Sequence, residues 1–449
     1  MSQQKIIIVG AGLAGSLLAI QMANRGFEVA LYERRPDMRT VDISAGRSIN
    51  LALSDRGIAA LKRVGMDDYI MAEAVPMPGR LIHGLSGETN FQPYSGREGE
   101  NINSISRGGL NRALMDKAEA LGNVKIFFNK RCETVDFDRA EAVFHDEITG
   151  ESTTATGDVI IGTDGANSAV RNEMMHIAPK LRFSFSQHYL DHGYKELSIP
   201  SKGKNGFRME KNALHIWPRG TYMLIALPNF DGSFTVTLFM PFEGEPGFNN
   251  LDTEAKVMAF FEAKFPDVVP LMPDLVEDFF DNPSSSLATI KCYPWQVNGK
   301  TLLVGDSAHA VVPFYGQGMN ASFEDCHELD KYIEAYGTDW KRVFENYQKF
   351  RKKDADAIGD LAEENYFEMR AHVADPVFVL KRQLETTLEQ TYPGYFSKYS
   401  MVTFREDIPY SVAMKKGRAQ DDLLMKICSE VDSVDELDME DVLRQLQRV

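Results

Sequence analysis

Lys5-Ile6-Ile7-Ile8-Val9-Gly10-Ala11-Gly12-Leu13-Ala14-Gly15 decides the fold. The first five residues are a short, nearly continuous apolar run, the pattern of a strand buried on both faces of a parallel sheet. Gly10, Gly12 and Gly15 complete a GxGxxG turn. Ser16 to Asn24 then carries apolar residues at helical spacing (Leu17, Ile20, Met22, Ala23), and Gly26 ends the helix. Phe27 to Tyr32 reads as a second strand, with Glu33 at its end, 18 residues after Gly15. A glycine triplet alone is weak evidence. Between a strand and a helix, with an acid closing the next strand, it is a dinucleotide-binding βαβ unit. The first glycine makes the tight turn, the second admits a pyrophosphate to the backbone, and the third lets helix and sheet approach. The helix N-terminus offers its N–H groups and positive dipole end to the phosphates. A carboxylate at 33 accepts hydrogen bonds from ribose hydroxyls and repels a 2'-phosphate, so the bound adenosine is NAD-like or FAD-like.

Two further stretches select the cofactor. Val159-Ile160-Ile161-Gly162-Thr163-Asp164-Gly165 is a buried strand running into Asp-Gly, and Leu302-Leu303-Val304-Gly305-Asp306 is one running into Gly-Asp. The second continues through Pro313-Phe314-Tyr315-Gly316-Gln317-Gly318-Met319-Asn320 into a helix over about 317–336. A carboxylate at a strand end can hold a ribityl hydroxyl. A glycine turn at a helix start can bring N–H groups against an isoalloxazine and stabilise negative charge there. Residues 108–122 read as another helix, opened by Arg107-Gly108-Gly109-Leu110. Tyr222–Leu227 and Ser233–Phe239 read as antiparallel strands of a separate sheet, and 340–390 as mostly helical. The tail from about 429 is either a helix or without order.

The three motifs, in this order, resemble the aromatic flavoprotein monooxygenases. Outside them the chain is similar to the kynurenine 3-monooxygenase family. That likeness rests on Gly46-Arg47-Ser48-Ile49-Asn50-Leu51-Ala52-Leu53-Ser54, His192–Leu197, Leu214–Arg219, Ser233–Phe242, Glu364–Met369 and Tyr399–Phe404, and it spans about 5–415. It implies an α/β fold: a Rossmann-like FAD-binding domain (1–75, 100–180 and 295–345), a β-sheet substrate domain (76–99 and 181–294) and a helical C-terminal region (346–449). It implies FAD as cofactor, with NADPH and molecular oxygen as co-substrates. The reaction would be hydroxylation of L-kynurenine to 3-hydroxykynurenine through a flavin C4a-hydroperoxide. The alternative is a related aromatic hydroxylase acting on another phenolic substrate. No second GxGxxG serves NADPH, so the reductant is expected to bind transiently over the flavin.

Residue by residue, the resemblance carries FAD binding onto Gly10, Gly12, Leu13, Ala14, Gly15, Tyr32, Glu33, Arg34, Arg35, Ala52, Arg107, Cys132, Asp164, Asp306, Gly318, Met319 and Asn320. Arg107 is read either as a cofactor contact or as a helix cap. The substrate carboxylate falls to Arg80, Tyr94, Asn365 and Tyr399, and the substrate ammonium to Glu368. Asn365 and Glu368 are three apart and share a helix face, a geometry that suits a pocket or an exposed helix equally. No catalytic side chain is expected, because an aniline supplies its own lone pair. His309 is either a base or a structural residue of the FAD stretch.

Bulk properties exclude other classes. The 449 residues exceed one ordinary core. A net charge of −16 argues against nucleic acid as a partner. Cys132, Cys292, Cys326 and Cys428 have no CxxC spacing and are expected as reduced, buried thiols. The polar start predicts no secretory leader, and no apolar run approaches the ~20 residues of a membrane span. The expected location is the cytoplasm, without a membrane anchor and with a small-molecule substrate as partner.

Overall fold

The computed structural model describes residues 4–41, 50–369 and 375–449. Gly46–Ile49 of the stretch quoted above lie outside them. The strand Lys5–Val9 sits inside a six-stranded sheet in the order Gln296–Val297, Thr301–Leu303, Val159–Gly162, Lys5–Val9, Glu28–Tyr32, Val124–Phe127. All neighbours run parallel except Gln296–Val297. Ile6, Ile7 and Ile8 are fully buried, as the uninterrupted apolar run requires. The helix Leu13–Asn24 is apolar nearly all round because it is buried nearly all round, between this sheet and the helices Arg107–Ala120 and Gly318–Tyr336. It starts three residues earlier than its periodicity suggested, with Gly12 as its N-cap.

The strand expected over Leu302–Asp306 ends at Leu303. Gly305 takes φ +67°, which no strand accommodates, and Asp306 opens a one-turn helix Asp306–His309. The carboxylate is thereby turned off the sheet edge.

The second sheet has seven strands, in the order Ser285–Tyr293, Ser184–Ile199, Phe234–Pro241, Met223–Pro228, Leu214–Pro218, Gly79–His83, Thr89–Pro93. It is antiparallel except where Leu214–Pro218 meets Gly79–His83, which run parallel. Strand alternation gives the two faces different work. Leu214, Ile216, Met223 and Phe239 pack with Phe314, Tyr366 and Tyr399 on one side. Trp217, Leu224 and Leu238 pack against the helices Glu254–Lys264 and Leu275–Asp281 on the other. On that second side His83 lies 2.9 Å from His215 and 3.1 Å from Asp267.

Helices Trp340–Phe367, Pro376–Thr391, Lys398–Thr403 and Tyr410–Cys428 follow, and the tail forms the helix Met439–Leu446. Buried Arg56 ties this region to the first sheet's loops: it donates to the Val402 and Arg405 carbonyls and pairs with Glu324 at 2.6 Å. The four cysteines are buried and unpaired. Among the described residues no helix is long and apolar enough to cross a membrane.

Candidate active site

The glycine turn is held rigid by side chains that meet it. Glu33 is buried; one carboxylate oxygen accepts the Ala11 N–H at 3.0 Å, and the other accepts both the Arg35 N–H and the Arg35 guanidinium. Asn111 donates to the Ala11 carbonyl at 3.0 Å. The three glycines have separate reasons to be glycine. Gly10 has φ +102°, and a Cβ there would lie 2.7 Å from the Thr163 carbonyl oxygen. A Cβ on Gly15 would lie 2.0 Å from the Gly10 carbonyl oxygen. A Cβ on Gly12 would meet nothing within 4 Å. Protein packing therefore accounts for Gly10 and Gly15, while Gly12 faces open space at a helix N-terminus, which fits a pyrophosphate. Leu13 and Ala14 form the helix's first turn. Tyr32 is stacked on Phe144 and Phe127, Arg35 is held by Glu33, and Arg34 is exposed.

Asp306 lies at the other end of this cradle, within the field of Arg107 and Ser322. Burial pushes its carboxyl up, against the pull of the Arg107 guanidinium. Arg107 is the exposed first residue of its helix; Ser106, not Arg107, is the cap. Asp164 accepts from the Ser168 hydroxyl at 2.6 Å and the Ala169 N–H at 2.7 Å, supporting Ser168, which caps the helix Ala169–His176. Burial raises its pKa, and these donors oppose the rise. Cys132 is buried close by, its thiol pushed up to about 12 by burial and then by the Asp164 charge.

The turn before the helix Gly318–Tyr336 is fixed by Asn320. Its amide donates to the Ala52 and Gly316 carbonyls and its oxygen accepts the Ser54 N–H. The Asn320 side chain is thus spent within the protein. What the helix start offers a flavin is its backbone: Gly318, Met319 and Asn320 carry the N–H groups that an α-helix leaves without internal acceptors. His309 lies 2.5 Å from Asp325, which also takes the Gly305 N–H and the Arg351 guanidinium.

The second cluster lies between the seven-stranded sheet and the C-terminal helices. Arg80 is 7% exposed, its Nε has no hydrogen-bond partner, and it forms no ion pair among the described residues. Its guanidinium carbon stands 5.3 Å from the Tyr94 ring centre and 5.1 Å from that of Tyr399. The two rings stack at 4.9 Å, and Tyr315 continues the column at 5.5 Å from Tyr399. Burial opposes the Arg80 charge, but Tyr94, Tyr399 and Glu368 around it keep its pKa above the usual arginine value. Burial holds all three phenols protonated. Glu368 is half-buried, 3.9 Å from the Lys398 ammonium. The Asn365 amide donates to the Phe314 carbonyl at 2.7 Å, fixing the turn that carries Tyr315.

Sequence reasoning missed Asn111, Asp325, Arg351 and Arg382, and left the role of Tyr315 open. Nothing in local spacing marks them. Asp325 and Arg351 sit in helices where they read as surface charges.

The family model described as FAD binding domain matches residues 3–182 and 276–362. The kynurenine 3-monooxygenase of Myxococcus xanthus is 48% identical over 435 residues, 97% of this chain and 93% of that protein. That of Dictyostelium discoideum is 46% identical, over 94% of this chain and 92% of its own. Among solved structures, the tetrameric form of 2-methyl-3-hydroxypyridine-5-carboxylic acid oxygenase superposes with a TM-score of 0.67 at 20% identity, covering 86% of this chain and 98% of that one, a likeness of fold. With FAD as its cofactor, the chain belongs to the kynurenine 3-monooxygenase family of flavin-dependent monooxygenases.

Proposed function

We propose that this chain hydroxylates L-kynurenine to 3-hydroxykynurenine, using NADPH and molecular oxygen, in the cytoplasm. The observation that carries the reading is Arg80: a buried guanidinium with no ion-pair partner among the described residues, framed by two phenols, is a site for a carboxylate. The FAD-binding unit comprises 1–75, 100–180 and 295–345, the substrate sheet 76–99 and 181–294, and the helical region 346–449.

The open face of Gly12 and the following N–H groups hold the pyrophosphate, and Glu33 the ribose. Asp306 and Arg107 meet the ribityl chain. The N–H groups of Gly318, Met319 and Asn320 face the flavin ring and favour negative charge on it. Bound FAD supplies the redox chemistry, taking hydride equivalents from NADPH and activating oxygen. Arg80 anchors the substrate carboxylate, Tyr94 and Tyr399 donate their hydroxyl protons to it, and Glu368 faces the ammonium. Asn365 and Asp164 act indirectly, by fixing the turns at Phe314 and Ala169. The apolar wall of Leu214, Ile216, Met223, Phe239 and Phe314 excludes water from the ring. No side chain abstracts a proton before attack, because the amino group ortho to the reacting carbon supplies the electron pair. His309, committed to Asp325, is consistent with that.

The test is NADPH oxidation by the FAD-loaded protein with and without L-kynurenine, with 3-hydroxykynurenine assayed. Stoichiometric product supports the reading. Oxidation without hydroxylation, or hydroxylation of a phenolic acid in preference, overturns it. Recovery in the membrane fraction after a high-salt wash would overturn the location.

A further inference from the structure

The stacked pair Tyr94–Tyr399 comes from two segments some three hundred residues apart, and something must hold them in register. Tyr94 ends the strand Thr89–Pro93 and leads into a loop; Tyr399 lies in the short helix Lys398–Thr403. The helix Pro376–Thr391 reaches both flanking segments through its side chains. Glu389, near its end, is 3% exposed. One of its carboxylate oxygens accepts the Gly96 N–H at 2.9 Å and the other accepts the Ser397 N–H at 2.9 Å. Gly96 is two residues beyond Tyr94, and Ser397 two before Tyr399. The loop is pressed directly onto this helix: a Cβ on Gly96 would lie 2.4 Å from the Thr386 carbonyl oxygen. One helical turn back, Arg382 donates to the Pro93 and Tyr94 carbonyls at 3.4 Å each and pairs with Glu385.

We infer that Glu389 is a positioning residue for substrate binding: its carboxylate clamps the two backbone segments that carry Tyr94 and Tyr399, and so sets the cradle in which Arg80 receives the substrate carboxylate. This rests on the proposed reading of Arg80. The geometry needs a carboxylate. Two N–H donors converge from opposite sides, and only a group with an acceptor on each arm satisfies both. An amide turns one arm into a donor facing a donor. The charge state agrees: burial works to raise the Glu389 pKa, but the Ser400 hydroxyl and the Ser397 and Gly96 N–H groups outweigh it and hold the carboxyl below its usual range. Arg97 adds a longer contact at 3.6 Å. Glu389 faces these backbone groups and not the stacked rings, so it acts through them.

The experiment compares Glu389→Gln with the parent on two substrates: L-kynurenine and its decarboxylated analogue, an ortho-aminophenyl ketone with an amine tail and no carboxylate. Losing one clamp bond should raise KM for L-kynurenine about tenfold, with kcat and the analogue's KM each changing less than about twofold. FAD content should be unchanged. General damage to the fold would move both substrates together, and that result, or an unchanged KM for L-kynurenine, overturns the proposal. If Glu389→Gln does not fold, Glu389→Asp, which keeps the charge and shortens the reach, carries the same comparison with the same outcomes. Arg80→Ala in parallel separates the two claims. If it fails to discriminate the substrates, the reading of Arg80 falls and takes this inference with it. If it discriminates and the Glu389 variants do not, only the clamp is wrong.

Discussion

Replacing Arg80 with methionine should disable the protein while changing the stability of the ligand-free fold little. The side chain is 7% exposed, Nε has no partner, and no carboxylate among the described residues neutralises the charge. A buried donor left unsatisfied costs about 1–3 kcal/mol, and charged groups lie at the upper end. Methionine has similar length and no charge, and it fills irregular apolar space. Part of the gain is lost because the Tyr94 and Tyr399 faces no longer meet a cation. The surroundings also favour the Arg80 charge, holding its pKa above the usual arginine value, so the effects offset to within about 1 kcal/mol, and at roughly 2 cal/mol/K of unfolding entropy per residue a chain this long shifts its Tm by about 1 °C per kcal/mol. Substrate binding has no such offset. A charge-assisted contact of about 1.5–3 kcal/mol predicts a KM for L-kynurenine raised roughly 10- to 150-fold. The assay is paired: thermal melts of FAD-loaded parent and Arg80→Met without substrate, then steady-state kinetics on both. Substrate should stabilise the parent and leave the variant unmoved. A variant that melts several degrees away from the parent, or binds L-kynurenine as well, would refute the account of an anion-binding site.

Gly12→Ala should fold normally yet bind FAD roughly tenfold more weakly or worse, since its methyl enters open space that the cofactor needs, whereas Gly15→Ala should lose soluble protein before cofactor affinity can be measured. Equal behaviour of the two would show that Gly12 is not a ligand-facing position. Asp306→Ala should raise the FAD dissociation constant about 2- to 12-fold by flavin fluorescence titration, from the loss of one acceptor at about 0.5–1.5 kcal/mol; unchanged affinity would remove Asp306 from the cofactor site. Burial lowers the pKa of His215 to about 4, and that of His327 likewise. In the unfolded chain a histidine takes its proton near pH 6.5, so the unfolded state binds more protons below that point, and stability, full above about pH 6.5, falls as pH drops toward 4. Melts between about pH 7 and pH 5 should show this decline, shallower in His215→Gln; a flat profile in the parent would contradict it.

The nucleotide-binding half was legible because its rules are local. A buried strand, a glycine turn and an amphipathic boundary each declare themselves within ten residues, and the strand at 159–162 announces itself the same way. Spacing does not show where a side chain also serves the backbone. Asp164 stands at a strand end, and one of its oxygens accepts the first N–H of the next helix while the other accepts the Ser168 hydroxyl. The amides of Asn320 and Asn365 hold the Ala52 and Phe314 carbonyls. The proposed substrate cluster joins positions 80, 94, 315, 368 and 399, which no spacing rule connects; family resemblance named four of the five. Lys381, Glu385 and Glu389 show the reverse error. Their spacing of four reads as a solvated, salt-bridged helix face, but all three are at most 3% exposed. Sequence periodicity reports which residues share a face, not whether another segment covers it.

The sheet that binds the nucleotide is closed by a strand made late. Val159–Gly162 pairs on one side with Lys5–Val9 and on the other with Thr301–Leu303, and every strand of the seven-stranded sheet from Ser184 onward lies between them in the chain. A polypeptide emerging from the ribosome therefore carries the apolar edge Val159-Ile160-Ile161 unpaired while some 140 further residues are added, roughly 7–30 s at ordinary rates of synthesis. An open strand edge of that kind invites pairing with other chains. Asp306 and the helix start at Gly318 emerge later still, so a nascent chain owns the phosphate turn long before it owns the flavin end. Cofactor capture that needs both ends is accordingly expected late in biogenesis. Overexpression that outruns it should leave apoprotein whose misassembly starts at the 159–162 edge.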